Sequence, residues 1–311
     1  MLGPVDVEQR RSSSLMSMPD RTPTPAVVIT GASTGIGAAC ARFLADKGFQ
    51  VFAGVRDRRA GEVLADGRTS RLIPIHLDVT DETSIRNSVD QVTRQLGDAG
   101  LTGLINNAGV AVGSPLEVIP IDHLRRQFEV NVFGLIAVTQ AFLPLLRKGH
   151  GRIVNMGSIA GRATIPLMGP YSASKFALEA LTDALRLELQ QWSIQVSIIE
   201  PGAIATPIWE KSIKAAKDLE ARDNSPFTVG YAELIMRIKE TVEKAAERAI
   251  PPDAVVQAVV HALTSPRPRT RYLVGIDAKI RAWMVKWLPD RLYDRLLTWI
   301  LKLPREESAL R

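Results

Sequence analysis

The stretch AVVITGASTGIGAACARFLADKG, residues 26–48, predicts a strand, a tight turn and a helix in immediate succession. Its first five residues form a compact apolar run, which is typical of a buried strand. Gly31, Gly35 and Gly37 follow, and then an Ala-rich amphipathic segment continues to Gly48, a common helix stop. Glycines have no side chain that would keep a ligand away from the backbone. The turn therefore predicts a site where backbone amides approach a pyrophosphate at the helix N-terminus.

The same order of strand and helix repeats along the chain. The apolar runs are continuous instead of alternating with polar residues, which is typical of strands covered on both faces. The predicted strands are residues 26–30, 50–55, 71–79, 103–109, 152–158, 195–202 and 271–275, and the main later helices are about 80–96, 122–146, 171–191 and 252–263. The pattern predicts an α/β fold, a single doubly wound Rossmann domain with a seven-stranded parallel sheet. Pro74 within the third run indicates an edge strand or a bulge.

Three segments depart from this alternation. Residues 1–25 are polar and Pro-rich and lack the apolar core of a secretory signal, so we expect a disordered leader before the domain at 26–275. Residues 203–250 are charged and helix-prone, and we expect a helical substrate-lid insertion there. Residues 276–311 predict amphipathic, basic helices with three tryptophans. This C-terminal extension is expected to fold back over the pocket or pack at a subunit interface, with contact to a membrane surface as the alternative.

Composition narrows the function classes. The 311 residues are 46% hydrophobic, which excludes disorder over most of the chain. The net charge is +6, but Lys and Arg are spread along the chain among 33 acids, so nucleic-acid binding is not expected. No run of 18 apolar residues predicts a spanning helix. The single cysteine, Cys40, fits a reducing, cytoplasmic location, with peripheral membrane contact as the alternative, and is expected to pack as a small hydrophobe.

No metal site is predicted, because the four histidines show no ligand spacing with another His, Cys or acid. They are His76, His123, His150 and His261.

The end of the second predicted strand indicates which dinucleotide is bound. Folds that bind NAD carry an acidic residue there for the ribose 2′-hydroxyl, but this chain has Val55 followed by Arg56. A guanidinium at this place suits the 2′-phosphate of NADP, so NADP (NADPH) is predicted in preference to NAD. A solvated basic helix start is the alternative interpretation, and it is the favoured one for Arg58 and Arg59.

Tyr171 and Lys175 stand four residues apart in GPYSASKFALEA, residues 169–180, and thus on one helical face. A phenol, with a pKa of about 10, gives up its proton reluctantly at neutral pH. A neighbouring cation favours the phenolate and is expected to lower the pKa of Tyr171. The pair therefore predicts a proton donor for a carbonyl oxygen whose carbon receives hydride, although a half-buried aromatic beside a solvated lysine would show the same spacing.

Seven motifs, in order, resemble those of the short-chain dehydrogenase/reductase family over about residues 26–275. The motifs are TGASTGIG (30–37), LDV (77–79), NNAG (106–109), VNVFG (130–134), NMGS (155–158), YSASK (171–175) and PGAIAT (201–206). Two further segments, VFAGVRD (51–57) and RTRYLVGIDAK (269–279), most resemble the branch of 17β-hydroxysteroid and retinol dehydrogenases.

The resemblance implies a catalytic tetrad of Asn131, Ser158, Tyr171 and Lys175. Ser158 would orient the substrate oxygen, and Asn131 would hold a water that links Lys175 to solvent. With the glycines and Arg56, the implied cofactor-binding set is Gly31, Ser33, Thr34, Gly35, Ile36, Gly37, Arg56, Asp78, Val79, Asn106, Ala108, Gly109, Tyr171, Lys175, Pro201, Gly202, Ile204 and Thr206. The predicted helices 122–146 and 171–191 resemble the pair through which the family dimerises, so a homodimer or homotetramer is expected.

The segments that flank the predicted site carry few charges, which suits a hydrophobic substrate. The expected substrate contacts are Ser158, Ile159, Leu167, Met168, Tyr171 and Trp209. Packing of the lid or of a subunit interface would also explain the apolar members. The predicted function is an NADP(H)-dependent oxidoreductase that interconverts an alcohol and a ketone or aldehyde on a steroid, retinoid or lipid-like substrate. The alternatives are a 3-oxoacyl-thioester reductase of fatty-acid type and an NADP-binding sensor or scaffold without turnover.

Overall fold

The computed structural model describes residues 24–208 and 230–303. Most of the predicted leader, the middle of the predicted lid with Trp209, and residues 304–311 lie outside the described residues. The predictions for these segments therefore stay predictions.

Within the described residues, helices alternate with short strands. The strands are β1 (Ala26–Ile29), β2 (Gln50–Val55), β3 (Leu72–His76), β4 (Gly103–Asn106), β5 (Arg152–Met156), β6 (Gln195–Pro201) and β7 (Arg271–Val274). The α-helices are α1 (Gly35–Asp46), α2 (Arg58–Ala65), α3 (Glu82–Leu96), α4 (Ile121–Phe128), α5 (Gly134–Lys148), α6 (Gly169–Glu188), α7 (Ala232–Glu247), α8 (Asp253–Thr264), α9 (Ile276–Trp287) and α10 (Asp290–Ile300). A π-helical segment, Glu129–Phe133, joins α4 to α5, and short 3-10 turns cover Ile159–Gly161 and Leu189–Trp192.

The strands form one parallel sheet in the order β3-β2-β1-β4-β5-β6-β7, which confirms the doubly wound fold. The chain winds outward from β1 to one edge and then restarts at β4 on the other side. Ligands of such sheets bind at this reversal, beyond the carboxyl ends of the strands. Pro74 lies in the edge strand β3, paired with Ala53. An edge strand tolerates a residue without an N–H, as the sequence indicated.

The sheet is buried on both faces. Within β1, Val27 and Ile29 belong to the apolar cluster shared with α1 and α8, whereas Val28 belongs to the cluster shared with α3 and α5. Both faces therefore select apolar residues, which explains the continuous runs in the sequence. Cys40 is fully buried, and burial raises the pKa of its thiol to about 12, as expected for a packing residue.

The segment Ile121–Lys148 is one continuous 28-residue helix through α4, the π segment and α5. By length and composition it could span a membrane, but 56% of its apolar window is buried inside the domain. It packs on α3 and on β4. We therefore interpret it as a core helix, close to the predicted 122–146. The π segment carries Asn131, and such π insertions are frequent at functional sites.

Candidate active site

A cavity of about 890 Å³ lies at the carboxyl ends of the strands. Its walls come from the loops after β1 to β6 and from α6, α7, α9 and α10. Of the predicted site residues, the following line it: Gly31, Ser33, Thr34, Gly35, Ile36, Arg56, Asp78, Val79, Ala108, Gly109, Ser158, Ile159, Leu167, Met168, Tyr171, Lys175, Pro201, Gly202, Ile204 and Thr206. Gly37, Asn106 and Asn131 are outside the cavity wall, and each has a different role in the fold.

The Gly-rich turn requires glycine for two separate reasons. Gly31 and Gly35 have φ values of +63° and +59°, a region that side chains disfavour. A Cβ on Gly31 would also lie 2.8 Å from the Cα of Ala108. A Cβ on Gly37 would lie 2.4 Å from both the Gly31 oxygen and the Asn107 Nδ2. Gly37 thus lets α1 pack against the turn, and it does not face the cavity as predicted.

The NNAG motif fastens the turn to β4. Thr30 Oγ1 accepts hydrogen bonds from the backbone N–H groups of Asn107 and Ala108, both at 2.9 Å. The Asn107 amide donates to the Thr30 and Gly31 carbonyls, both at 3.0 Å. Asn107 also lines the cavity, so it is a site residue that the sequence prediction missed.

Asn106 does not occupy the cofactor-lining position that was predicted for it. It ends β4 and is buried, and its Nδ2 donates to Thr139 Oγ1 and Asn155 Oδ1, both at 2.9 Å. Successive side chains of a strand point to opposite faces. The side chain of Asn106 therefore enters the layer between the sheet and α5, which leaves Asn107 at the cavity.

A positive region surrounds Asp78 at the end of the cavity near β2 and β3. Burial alone would raise the pKa of Asp78, but two hydrogen bonds from Thr80 and the charges of Arg56 and Arg126 outweigh it, so the pKa lies below its ordinary value. Arg56 is exposed and lines the cavity directly after β2. An arginine here can contact an anionic group at this end of a dinucleotide.

Ser158, Tyr171 and Lys175 meet in the centre of the cavity. A side-chain hydrogen bond links Ser158 to the Tyr171 phenol. The Lys175 Nζ lies 5.8 Å from the centroid of the Tyr171 ring and donates a 2.8 Å hydrogen bond to the carbonyl of Met156 at the end of β5. Ser158 caps the 3-10 turn after β5 and accepts from Ala160 N–H at 3.1 Å. The strand end, the turn and α6 thus bring the three side chains together.

Burial governs the ionisation of this group. It raises the pKa of Tyr171, and the hydrogen bond from Ser158 opposes that rise. Burial also lowers the pKa of Lys175 to about 8, although the negative charge of Glu179, one turn further along α6, acts to raise it. Loss of hydration is the largest effect on the phenol, so the net shift of the Tyr171 pKa is upward, the opposite of the direction expected from the lysine charge alone. The lysine ammonium is bound instead to the Met156 carbonyl.

The side chain of Asn131 is fully hydrogen-bonded to protein. Its Oδ1 accepts from Val110 N–H at 2.9 Å, and its Nδ2 donates to the Val110 carbonyl at 2.9 Å and to Ser174 Oγ at 3.0 Å. This amide therefore joins the π segment to the loop after β4 and to α6. A Cβ on Gly109 would lie 3.4 Å from Asn131 Oδ1 and 3.8 Å from Lys175 Nζ, so Asn131 stands beside the lysine without facing the cavity.

Beneath the site, three carboxylates form what we call the acidic network: Glu179, Asp183 and Glu200. Arg271 of β7 contacts Asp183 at 2.6 Å and Glu179 at 3.1 Å, and Arg162 contacts the fully buried Glu200 at 2.7 Å. Burial and the neighbouring Glu200 charge raise the pKa of Glu179 to about 7, although the charges of Arg271 and Arg162 act to lower it. The network links α6 to the segment after Ser158 and to the end of β6.

The far side of the cavity is apolar. The α7 helix contributes Ile235, Ile238 and Val242, and the C-terminal extension contributes Met284, Leu297, Ile300 and Leu301. The described part of the extension therefore folds back over the cavity, the first of the arrangements considered above. Charged wall residues from these helices, Lys239, Asp277 and Arg281, were not predicted, because sequence periodicity does not show which helix face meets a distant loop.

No cluster of metal-binding side chains occurs among residues 24–208 and 230–303. A glycine turn, an arginine and a Ser-Tyr-Lys group line one cavity instead.

The family model for short chain dehydrogenases matches residues 25–217. The chain belongs to this family and is an oxidoreductase that acts on CH–OH groups. Within the family it belongs with the retinol and 17β-hydroxysteroid dehydrogenases. It is 38% identical over 300 residues to retinol dehydrogenase 5 of Mus musculus, covering 93% of this chain and 94% of that protein.

Two other comparisons concern the cofactor. The chain is 35% identical over 287 residues to the NADPH-dependent 3-dehydrocapnine reductase of Ornithobacterium rhinotracheale, covering 90% of this chain and 99% of that protein. A short chain dehydrogenase from Burkholderia cenocepacia, solved in complex with NADP, superimposes with a TM-score of 0.68 at 27% identity, covering 88% and 98% of the two chains.

Proposed function

We propose that this chain is an NADP(H)-dependent oxidoreductase that interconverts an alcohol and a ketone or aldehyde on a hydrophobic substrate, with Tyr171 as general acid and base. The observation that carries the proposal is the position of the Tyr171 phenol, hydrogen-bonded to Ser158 in the cavity that the glycine turn also lines. The largely apolar far wall supports a steroid, retinoid or lipid-like substrate.

The residues divide the reaction between them. The nicotinamide supplies or accepts the hydride when bound. Tyr171 gives its proton to the substrate oxygen in reduction and takes it back in oxidation, and Ser158 holds that oxygen by a hydrogen bond. Lys175, with a pKa of about 8, is charged at neutral pH, and a cation beside the developing phenolate favours proton release. Asn131 is a positioning residue that fixes α6 relative to the loop after β4.

The glycine turn and Arg56 fit an NADP molecule. Gly31 and Gly35 leave room at the amino end of α1, where backbone N–H groups bind phosphate. Arg56 lines the cavity where β2 ends, and the last residue of β2 is Val55 instead of an acid. Asp57 also lines this end of the cavity, but its carboxylate caps α2 by accepting a 2.9 Å hydrogen bond from Arg59 N–H, so Arg56 supports the 2′-phosphate. The relative named as NADPH-dependent supports the same preference.

A substrate panel tests this function. Steroid, retinoid, long-chain and acyl-thioester carbonyl compounds are assayed with NADPH and NADH in parallel. We expect turnover of at least one hydrophobic ketone or aldehyde, with the higher kcat/KM for NADPH. Turnover of acyl thioesters alone would identify the fatty-acid-type reductase, and cofactor binding without turnover of any class would favour the sensor or scaffold.

We also propose peripheral contact of the C-terminal extension with an anionic membrane surface on the cytoplasmic side. Trp283 and Trp287 of α9 are 59% and 63% exposed, and Lys286 lies over the Trp287 ring. Exposed tryptophans next to basic residues suit a lipid interface. Trp283→Ser/Trp287→Ser should reduce co-sedimentation with anionic vesicles without loss of fold. Equal binding of both proteins would refute the contact.

We propose further that the chain is a homodimer or homotetramer through the long helix and α6. Phe133, Phe176 and Leu187 are large apolar side chains exposed on these helices. Burial of such side chains at a subunit interface is favourable. Light scattering after size-exclusion chromatography should give a multiple of 34.0 kDa, and Phe176→Glu should shift it toward the monomer.

A further inference from the structure

Glu179 is the acidic side chain that follows Lys175 by one turn of α6. Side chains four residues apart on a helix are neighbours, with about 5–6 Å between their Cβ atoms. Lys175 is 5% exposed and the Glu179 side chain 13% exposed. Both residues also pack on the 3-10 turn that Ser158 caps, since a Cβ on Gly161 would lie 2.9 Å from the Lys175 carbonyl oxygen and 3.3 Å from Glu179 Cγ. Little water therefore screens the carboxylate from the ammonium.

The negative charge of Glu179 is neutralised only in part, because its arginine partner serves three carboxylates. The Nε of Arg271 lies 3.1 Å from Glu179 Oε2 and 3.6 Å from Glu200 Oε1, and its Nη2 lies 2.6 Å from Asp183 Oδ2. Arg162 binds Glu200 through two nitrogens, at 2.7 and 2.8 Å. The second oxygen of Glu179, Oε1, is buried and has no hydrogen-bond partner among the residues that the structure describes. The ionised carboxylate thus keeps charge that acts on its other neighbours.

Glu179 and Glu200 form a pair of carboxyl groups within hydrogen-bonding reach of each other. Burial and the repulsion between two neighbouring carboxylates both favour proton binding, and they raise the pKa of Glu179 to about 7. The pair therefore loses a proton near neutral pH and gains a negative charge one helical turn from Lys175. The charged side chains around Glu179 are Glu200 of β6, Arg271 of β7, Arg162 after the 3-10 turn, and Lys175 and Asp183 of α6, the last of which shares Arg271.

We propose that Glu179 is a positioning residue for the reaction: its carboxylate, paired with Glu200, keeps Lys175 an ammonium beside Tyr171. This inference rests on the proposed function, in which the lysine charge favours proton release by the phenol. Burial lowers the pKa of Lys175, and the charge of Glu179 opposes that fall. Ionisation of Glu179 above neutral pH therefore extends the pH range in which the Tyr171–Lys175 group stays protonated and reduces a carbonyl compound.

The pH profile of Glu179→Gln tests this role, because glutamine has the shape of the protonated acid and carries no charge. A ketone or aldehyde that the unsubstituted protein reduces is assayed with NADPH from about pH 6 to about pH 10. Reduction needs the protonated Tyr171–Lys175 group, so kcat/KM falls at alkaline pH. In Glu179→Gln this alkaline limb should lie about 0.5–1 unit lower, as expected for loss of one charge at this separation. If Glu179→Gln does not fold, Glu179→Met, which is also uncharged, should show the same shift.

Asp183→Asn is the matched control. It removes the same charge from the same helix and the same arginine, but it lies about 12 Å along α6 from Lys175, and its side chain is 41% exposed. Its alkaline limb should therefore stay within about 0.2 unit of that of the unsubstituted protein. An equal shift in Asp183→Asn and Glu179→Gln would assign the effect to the ion-pair network as a whole and overturn the role given to Glu179.

A measurement without turnover separates this role from the proposed function. The gain in stability from Lys175→Met, measured by urea unfolding over the same pH range, falls as Lys175 loses its proton in the folded state. This fall should begin about 0.5–1 unit lower in a Glu179→Gln background. An unmoved alkaline limb, or an unmoved onset in this double-mutant cycle, would overturn the inference and leave the oxidoreductase intact. If no carbonyl compound is reduced, the proposed function fails, and the double-mutant cycle alone decides whether Glu179 controls the lysine charge.

Discussion

Lys175→Met is expected to stabilise the folded protein at neutral pH while it removes turnover. Lys175 is 5% exposed, and burial lowers its pKa from 10.5 to about 8. One pKa unit corresponds to about 1.36 kcal/mol, so the buried ammonium destabilises the fold by about 3 kcal/mol at pH 7. Methionine has a similar shape and no charge, so Lys175→Met removes this penalty. Loss of the hydrogen bond to the Met156 carbonyl cancels about 1 kcal/mol of the gain in stability. The expected net gain is about 2 kcal/mol.

The pH dependence of this gain has a defined sign. Because the folded pKa of Lys175 lies below the unfolded value, the penalty is fully present below pH 8 and disappears as pH rises toward 10.5. The difference in free energy of unfolding between Lys175→Met and the unsubstituted protein should therefore fall by about 1.4 kcal/mol from pH 7 to pH 9. Tyr171→Phe is the matched control on the same helix. Both the phenol, whose pKa is raised, and its unfolded form stay neutral over this range, so no such change is expected.

Urea unfolding of the three proteins at pH 7, 8 and 9 measures these differences directly. Two results would refute the reasoning: a Lys175→Met variant less stable than the unsubstituted protein at pH 7, or a stability difference that does not change with pH. Either would mean that the ammonium is hydrated or paired in the folded state.

Three further predictions concern packing, charge and cofactor choice. Gly37→Ala should lower the free energy of unfolding by about 1–3 kcal/mol, because the added Cβ would meet two polar atoms at 2.4 Å. Gly230 has open space around it, so Gly230→Ala should be neutral, and denaturant titration compares the two variants. Arg271→Met should lower the free energy of unfolding by about 1–3 kcal/mol at pH 8, because it leaves the partly buried Glu179 and the buried Glu200 with fewer cationic partners. The loss should shrink at pH 5 as Glu179 and Glu200, whose pKa values are raised, take up protons, so an equal loss at both pH values contradicts this reasoning. Arg56→Asp should raise KM for NADPH by about tenfold or more while KM for NADH changes by less than about threefold in steady-state assays, and equal effects on both would remove Arg56 from cofactor selection.

The fold was predictable because burial on both sheet faces leaves a direct trace in the sequence. Every residue of β1 is buried, so the strand reads as one apolar run, and Pro74 indicated an edge strand from backbone chemistry alone. The unbroken helix through the π segment was also readable as an amphipathic stretch. Its π-helical turn around Asn131 was not, since it depends on contacts with Val110 and Ser174 in other parts of the chain.

The candidate site was predictable only where local geometry fixes it. The positions of Gly31 and Tyr171 follow from a turn and from helical spacing. By contrast, Asn106 ends β4 and Asn107 directly follows it, and only the register of the strand decides which of the two side chains meets the cavity. Arg281 reaches the cavity through a helix that packs across the sheet end, more than a hundred residues after Ser158. The direction in which the pKa of Tyr171 shifts depends on how deeply the phenol is buried, and sequence spacing does not show that.

Tyr171→Phe tests the central claim most directly, because it removes a single oxygen from a half-buried ring. With a ketone or aldehyde that the unsubstituted protein reduces, kcat should fall by about a hundredfold to ten-thousandfold. NADPH affinity, measured by fluorescence titration, and the free energy of unfolding at pH 7 should stay close to those of the unsubstituted protein. Turnover by Tyr171→Phe at a rate near that of the unsubstituted protein would contradict the assignment of Tyr171 as the proton donor.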